Sequence, residues 1–165
     1  MSVPRNIRIS RNAKVSLHPF TDYFQGFEKV EVVRRLFGEK TDEVLRNLKI
    51  EFTGRGYMGV SGEDGHMNIN ADYLNTGDAV DIYLDVIHEL VHVKQFMDGK
   101  ELFDPRYNYV TRPTEIEAYR YSVEEARRLG LSEEQICDYL RTERMTDEDL
   151  QRLAETLNVR YNNTR

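Results

Sequence analysis

The pentapeptide His88-Glu89-Leu90-Val91-His92 is the most informative part of this 165-residue sequence. When an H-E-x-x-H pattern lies on a helix, its two imidazoles fall one turn apart on the same face, so both can bind one zinc ion. The glutamate beside them can then act as a general base toward a water molecule. The pattern therefore predicts a Zn²⁺ centre with His88 and His92 as metal ligands and Glu89 as a catalytic residue.

The residues on either side of this motif predict one long helix, from Asp78 to Met97. Apolar residues recur there at helical spacing, and the polar exceptions form a single stripe because they follow one another at steps of three and four. A mostly buried helix with one polar stripe indicates a cleft; the alternative is a stripe of ordinary surface residues that faces water. The apolar positions are Ile82, Leu84, Val86, Ile87, Leu90, Val91, Val93 and Met97, and the stripe comprises Asp81, Asp85, His88, Glu89 and His92.

A zinc ion with two histidine ligands needs a third protein ligand and an open position. Downstream, Pro113 and Thr114 predict the start of another helix, with Glu115 in its first turn. On a helical wheel Glu115 shares a face with small and apolar residues, whereas Glu117 falls among charged ones. We therefore predict Glu115 as the third metal ligand. The alternative is that Glu115 only interacts favourably with the helix dipole.

The HELVH motif and the pattern Glu115-x-x-Ala118 together resemble zincin metallopeptidases of the gluzincin type, including compact proteins similar to ImmA and IrrE. The resemblance extends from Asp81 to Ala126. It differs at Tyr119, where these proteins often have an Asp or Asn that supports a histidine ligand. The resemblance implies a zincin-like fold and a zinc-dependent hydrolase.

The connection between the two helices contains candidates for a further catalytic group. A tyrosine hydroxyl can donate a hydrogen bond to the oxyanion that develops when a carbonyl is attacked. Tyr107 and Tyr109 are such candidates, with Tyr119 behind them, although each is also compatible with simple packing. Asp85, one turn before His88, is a candidate for orienting an imidazole by a hydrogen bond.

The remaining patterns predict an α+β fold in which helices precede and follow a small, mostly antiparallel sheet. In the zincins that this sequence resembles, such a sheet lies over the active-site helix and its edge strand pairs with an extended substrate. The candidate edge strand here is His66 to Asn70, with a plain structural hairpin as the alternative. The predicted helices are Tyr23 to Phe37, Asp42 to Leu48, and a C-terminal hairpin that starts at Ser132 and Thr146; the predicted strands are Lys49 to Thr53, Tyr57 to Val60 and Met67 to Asn70.

Length and composition predict one domain over residues 1–165, with 39% hydrophobic and 32% charged residues. Residues 1–15 are basic and predict a flexible arm or an edge strand through Ile7, Ile9 and Val15. His18 is predicted to lie in a surface loop. Residues 158–165 are predicted to form a loose tail. Cys137 is alone, so it cannot form an intrachain disulfide, and its helical setting favours buried packing.

The net charge of −6 argues against general binding to nucleic acids or anionic membranes. An apolar run long enough to span a bilayer and a secretory signal are both lacking, so we expect a cytoplasmic protein.

The first functional hypothesis is a zinc-dependent peptidase that acts on peptides or locally unfolded proteins. The second is a zinc-binding scaffold with little or no turnover that serves as a regulatory or binding module. A third is a purely structural helical protein in which the motif arose by chance.

Overall fold

The computed structural model describes residues 4–11, 13 and 15–163 and has the predicted α+β class. Helices make up most of the regular structure, and the strands form one small sheet. The strands are β1 (His18–Pro19), β2 (Lys49–Thr53), β3 (Met58–Val60) and β4 (Met67–Asn70). The helices are α1 (Glu31–Phe37), α2 (Thr41–Asn47), α3 (Ala71–Thr76), α4 (Ala79–Met97), α5 (Pro113–Arg128), α6 (Glu133–Leu140) and α7 (Asp147–Thr156).

The four strands lie in the order β1-β2-β4-β3. The two outer pairings are antiparallel, and the central pairing of β2 with β4 is parallel. Met67 and Ile69 of β4 are completely buried and alternate with Asn68 and Asn70, as expected for a strand with one face on the core.

The predicted edge strand at His66 to Asn70 is wrong. Strand β2 pairs with one side of β4, and the hairpin from β3 folds onto the other side. Strand β3 is therefore at that edge of the sheet. Strands that follow one another in sequence usually pair with each other, so the parallel pairing of β2 with β4, which skips β3, was not expected.

The N-terminal predictions also need correction. His18 and Pro19 form an edge strand that pairs with Ile50 and Lys49, so His18 does not lie in a surface loop. The described residues between 4 and 17 form no strand, and Ile7, Ile9 and Val15 are exposed. Parts of the predicted N-terminal arm, residues 1–3, 12 and 14, lie outside the described residues.

The first predicted helix is shorter than its apolar pattern indicated. A single 3₁₀ turn covers Phe27–Lys29, and Val30 then adopts an extended conformation before α1 begins at Glu31. The helix ends at Phe37, as predicted, and Gly38 follows it with φ of 58°. Helix α3 was not predicted; it is short and starts with the side chain of Asn70, which accepts from the backbone N–H groups of Asp72 and Tyr73.

Helix α4 lies at the centre of the molecule and matches the predicted span. It starts where the Asp78 side chain accepts hydrogen bonds from the backbone N–H groups of Val80 and Asp81, both at 3.0 Å. One side of α4 packs with the sheet and α1, and Leu84 on another side joins the core formed by α5, α6 and α7. Within the described part of the chain, no helix combines the length and apolar character needed to cross a bilayer.

The C-terminal hairpin begins at the two predicted caps. Ser132 and Thr146 each accept from the backbone N–H three residues later, in complete capping boxes. Cys137 is buried, as predicted. Within the predicted tail at 158–165, Val159 is buried and the carbonyl of Asn162 accepts a hydrogen bond from Arg141. Residues 164 and 165 lie outside the described residues.

Candidate metal centre

The two motif histidines lie side by side under the protein surface. His88 and His92 are each 5% exposed, and their Nε2 atoms are 3.2 Å apart. This proximity follows from their four-residue spacing on α4, which places both side chains on one face of the helix. Both Nε2 atoms face Glu115 on the next helix.

Glu115 completes a group of three. Its Oε2 lies 3.0 Å from Nε2 of His88, and its Oε1 lies 3.2 Å from Nε2 of His92. The three residues are buried and close enough to bind one metal ion. Helix α5 begins at Pro113, so Glu115 falls in the first turn and faces inward, as the wheel predicted. Glu117 points away from the group, and its Oε1 accepts from Gln95 instead.

The pKa shifts of this group favour a negative Glu115 beside a positive charge. Burial alone would favour a neutral carboxyl, yet hydrogen bonds with His88 and His92 hold the pKa of Glu115 well below its usual range. Burial likewise opposes the charged form of His92, but the hydrogen bond with Glu115 and the charge of Glu89 raise its pKa to about 9. A proton or a metal ion can supply the charge that the carboxylate requires.

Gln95 is a functional residue that the sequence interpretation missed. Its Oε1 lies 2.7 Å from Nδ1 of His92, and its Nε2 donates to the carbonyl of Thr114 and to Glu117, both at 2.9 Å. The amide oxygen only accepts, so Nδ1 of His92 carries a proton, and Nε2 is the nitrogen that faces Glu115, where a metal ion would take the place of the second proton. Gln95 follows His92 by three residues and continues the polar stripe of α4. This spacing could have identified it from the sequence as a neighbour of His92.

Glu89 lies beside the histidines but does not join them. It is 7% exposed, and its Oε2 has no hydrogen-bond partner among the described residues. Burial raises the pKa of this carboxyl. A buried carboxylate oxygen with nothing to bind is costly unless a ligand or water supplies a donor.

Only one of the two candidate loop tyrosines reaches the site. The hydroxyl of Tyr109 lies 2.7 Å from that of Tyr119, whose ring centroid is 4.4 Å from that of His88. Burial raises the pKa values of both tyrosines, so they stay protonated and can donate. Tyr107 does not line the cavity beside His88, and its ring centroid lies 5.8 Å from the Arg106 guanidinium instead. In the 3₁₀ turn at Tyr109–Thr111 the buried residue is Val110, while Tyr109 is partly exposed and directs its hydroxyl toward Tyr119.

Asp85 does not orient an imidazole as predicted. Its Oδ2 accepts from the Tyr73 hydroxyl at 2.5 Å, and its Oδ1 accepts from the Tyr139 hydroxyl at 2.9 Å. Both carboxylate oxygens are thus occupied, and Nδ1 of His88 has no partner within the described residues. Tyr73 and Tyr139 come from α3 and α6, and no local sequence pattern connects them with Asp85.

A cavity of about 220 Å³ opens beside His88 and Glu89. Tyr57 and Met58 also line a groove of about 860 Å³, so the two spaces adjoin next to β3. The polar stripe of α4 therefore faces a cleft, as the sequence indicated, rather than open solvent.

No protein-family model matches this sequence, and no curated protein or solved structure is significantly similar to it. The residues around His88, His92 and Glu115 are therefore the basis for assigning a function.

Proposed function

We propose that the protein is a zinc-dependent peptidase of the compact gluzincin type. The observation that supports this most strongly is the arrangement of His88, His92 and Glu115, whose facing atoms are 3.0 to 3.2 Å apart. In this proposal the three residues hold zinc, and Glu89 is the general base beside them.

The types of ligand atom support zinc as the metal. Two imidazole nitrogens and one carboxylate oxygen are a ligand set that catalytic zinc sites use, with a fourth position left open. For tetrahedral zinc with bonds of about 2.0–2.1 Å, neighbouring ligand atoms are about 3.3 Å apart. The two Nε2 atoms are 3.2 Å apart, close to that value, and each lies 3.0 to 3.2 Å from a different oxygen of Glu115. The carboxylate would need to turn so that one oxygen serves as the ligand. When bound, zinc supplies a Lewis acid that polarises a carbonyl and lowers the pKa of a water molecule.

Each neighbouring side chain then has a role in peptide hydrolysis. Glu89 accepts a proton from the attacking water and passes it to the leaving amine. One of the Tyr109 and Tyr119 hydroxyls donates to the other at 2.7 Å, and the remaining proton of the pair would donate toward the developing oxyanion. Gln95 keeps His92 in the tautomer that presents Nε2 to the metal.

The sheet edge favours an extended polypeptide as substrate. Strand β3 is the outermost strand beside the cleft, and Met58 at its start lines the cavity together with His88 and Glu89. An edge strand has backbone groups available to pair with another extended chain. We infer that peptides or locally unfolded proteins bind along β3, which takes the place of the edge strand that was expected at His66 to Asn70.

The test compares wild type with Glu89→Gln after both are loaded with zinc. Wild type should cleave members of an unbiased peptide library, and Glu89→Gln should keep zinc but lose about 100- to 10,000-fold in rate, the usual contribution of a general base. Glu117→Gln is the matched control, because it changes a nearby carboxylate outside the ligand group. Equal background cleavage by all three zinc-loaded proteins would instead support a zinc-binding module without turnover.

A further inference from the structure

The cavity beside the candidate metal centre has an acidic wall. Asp81, Asp85 and Asp138 line it in addition to Glu89. Arg141 is the one cationic side chain found among the described lining residues. Its guanidinium already donates to the carbonyl of Asn162 at 3.0 Å and lies 3.4 Å from the carboxylate of Asp147. The described lining residues therefore include more acidic than basic side chains.

One acidic group in the cavity has no partner for an oxygen atom. Glu89 lines this space, is 7% exposed, and has no hydrogen-bond partner for Oε2 among the described residues. By contrast, both oxygens of Asp85 are satisfied by tyrosine hydroxyls. The cavity thus holds one satisfied carboxylate and one whose Oε2 has no donor among the described residues, so the protein itself does not neutralise this acidic wall.

The uncharged part of the cavity wall is aromatic. Tyr57 and Tyr73 meet edge to face with ring centroids 4.9 Å apart, and Tyr109 and Tyr139 line the same space. Aromatic faces attract ammonium and guanidinium groups, and the attraction increases when water is excluded. Carboxylates together with tyrosine rings are a suitable environment for an organic cation.

The acidic wall extends beyond the metal-binding atoms. Asp81 precedes His88 by seven residues on α4, which corresponds to about 10 Å along the helix axis. One extended residue spans about 3.3–3.6 Å, so a group bound near Asp81 belongs to a part of the substrate close to the reacting bond. Burial raises the pKa of Asp81, and the charges of Asp78 and Asp85 raise it further. A bound cation would relieve this repulsion.

We propose that this cavity binds a positively charged group of the peptide substrate close to the scissile bond. The group is an ammonium or guanidinium from a lysine or arginine side chain, or the free amino terminus of the peptide. This inference rests on the proposed peptidase function, because it names the class of substrate that the same site accepts. The cavity volume of about 220 Å³ is sufficient for one such group and its stem.

Four small probes test the proposal without requiring cleavage. They are the N-methylamides of Nα-acetyl-lysine, Nα-acetyl-arginine, norleucine with a free amine, and Nα-acetyl-norleucine, which is neutral. Binding to the zinc-loaded full chain is measured by NMR titration, which detects weak complexes. We expect the lysine and arginine probes, or the free-amine probe, to bind more tightly than the neutral one, and to weaken as salt increases.

The variants Asp81→Asn and Asp138→Asn should each reduce this preference about two- to fivefold, as expected for partly exposed charge pairs. Asp22→Asn, an exposed change outside the cavity, is the matched control and should keep the preference.

Equal binding of charged and neutral probes by wild type would overturn the proposal, as would a preference that both cavity variants retain. Because binding is measured directly, a cation preference without Glu89-dependent cleavage would contradict only the peptidase activity. Glu89-dependent cleavage without that preference would contradict only the cation site.

Discussion

Gln95 connects the second motif histidine to the helix that carries the third candidate ligand. Its Oε1 accepts from Nδ1 of His92 at 2.7 Å, and its Nε2 donates to the carbonyl of Thr114, the residue before Glu115. The side chain is 1% exposed, so water does not compete for these contacts. One buried amide therefore fixes both the orientation of His92 and the position of Glu115.

Replacing Gln95 with Leu should weaken zinc binding about 10- to 100-fold, the usual effect of losing a partner that orients a ligand. The fold should persist, because leucine fills a similar volume. Competition with a chromophoric zinc chelator measures the affinity. Gln151→Leu, an exposed change on α7, is the control and should bind zinc like wild type.

Glu115 and Glu117 should differ sharply although they are two residues apart. Glu115→Gln removes a charged ligand atom and should lower zinc affinity by more than the roughly 10- to 100-fold expected for an orienting residue. Glu117→Gln should have a small effect, because Glu117 accepts a hydrogen bond from Gln95 and lies 3.8 Å from Lys100, on the side of α5 away from the histidines. The same chelator competition measures both variants, and the reverse ranking would move the third ligand to Glu117.

A histidine away from the metal centre should make stability depend on pH. Burial alone would lower the pKa of His66, but its hydrogen bonds with Glu51, at 2.7 Å, and Asp64 raise it. The protonated pair therefore stabilises the fold below the unfolded pKa of about 6.5, and this contribution disappears as pH rises through the folded pKa.

Denaturant unfolding of wild type and Glu51→Gln at pH 5.5 and 8.5 measures this contribution. Wild type should be more stable than the variant by about 0.5–1 kcal/mol at the lower pH, with a smaller difference at the higher pH. Glu39→Gln, an exposed change, should show no such pH-dependent difference. A wild-type advantage that grows with pH would contradict the assignment.

Gly65 should tolerate a side chain less well than Gly99. Their φ angles are nearly equal, 78° and 77°, so the backbone strain of a Gly→Ala change is similar at both. A Cβ at Gly65 would lie 2.5 Å from the Phe96 ring, whereas one at Gly99 would meet nothing within 4 Å. Gly65→Ala should therefore cost about 1–3 kcal/mol more than Gly99→Ala in thermal or denaturant unfolding. Equal losses would show that Phe96 moves aside freely.

Local patterns predicted those parts of the structure that depend on short-range spacing. The four-residue interval between His88 and His92 and the inward face of Glu115 both follow from helical periodicity. Strand pairing, by contrast, depends on distant partners, so the parallel contact of β2 with β4 and the edge position of β3 were not predictable from alternation alone. Likewise, Tyr73 and Tyr139 reach Asp85 only because three separate helices meet there.

The most direct test of the central claim is the zinc content and coordination of the purified chain. After loading with zinc and removal of free metal, wild type should retain one zinc per chain, and His88→Ala combined with His92→Ala should retain almost none. X-ray absorption of wild type should show only nitrogen and oxygen neighbours at about 2.0–2.1 Å, including two imidazoles. Negligible zinc in wild type, or equal zinc in wild type and the double variant, would contradict the metal centre at His88, His92 and Glu115.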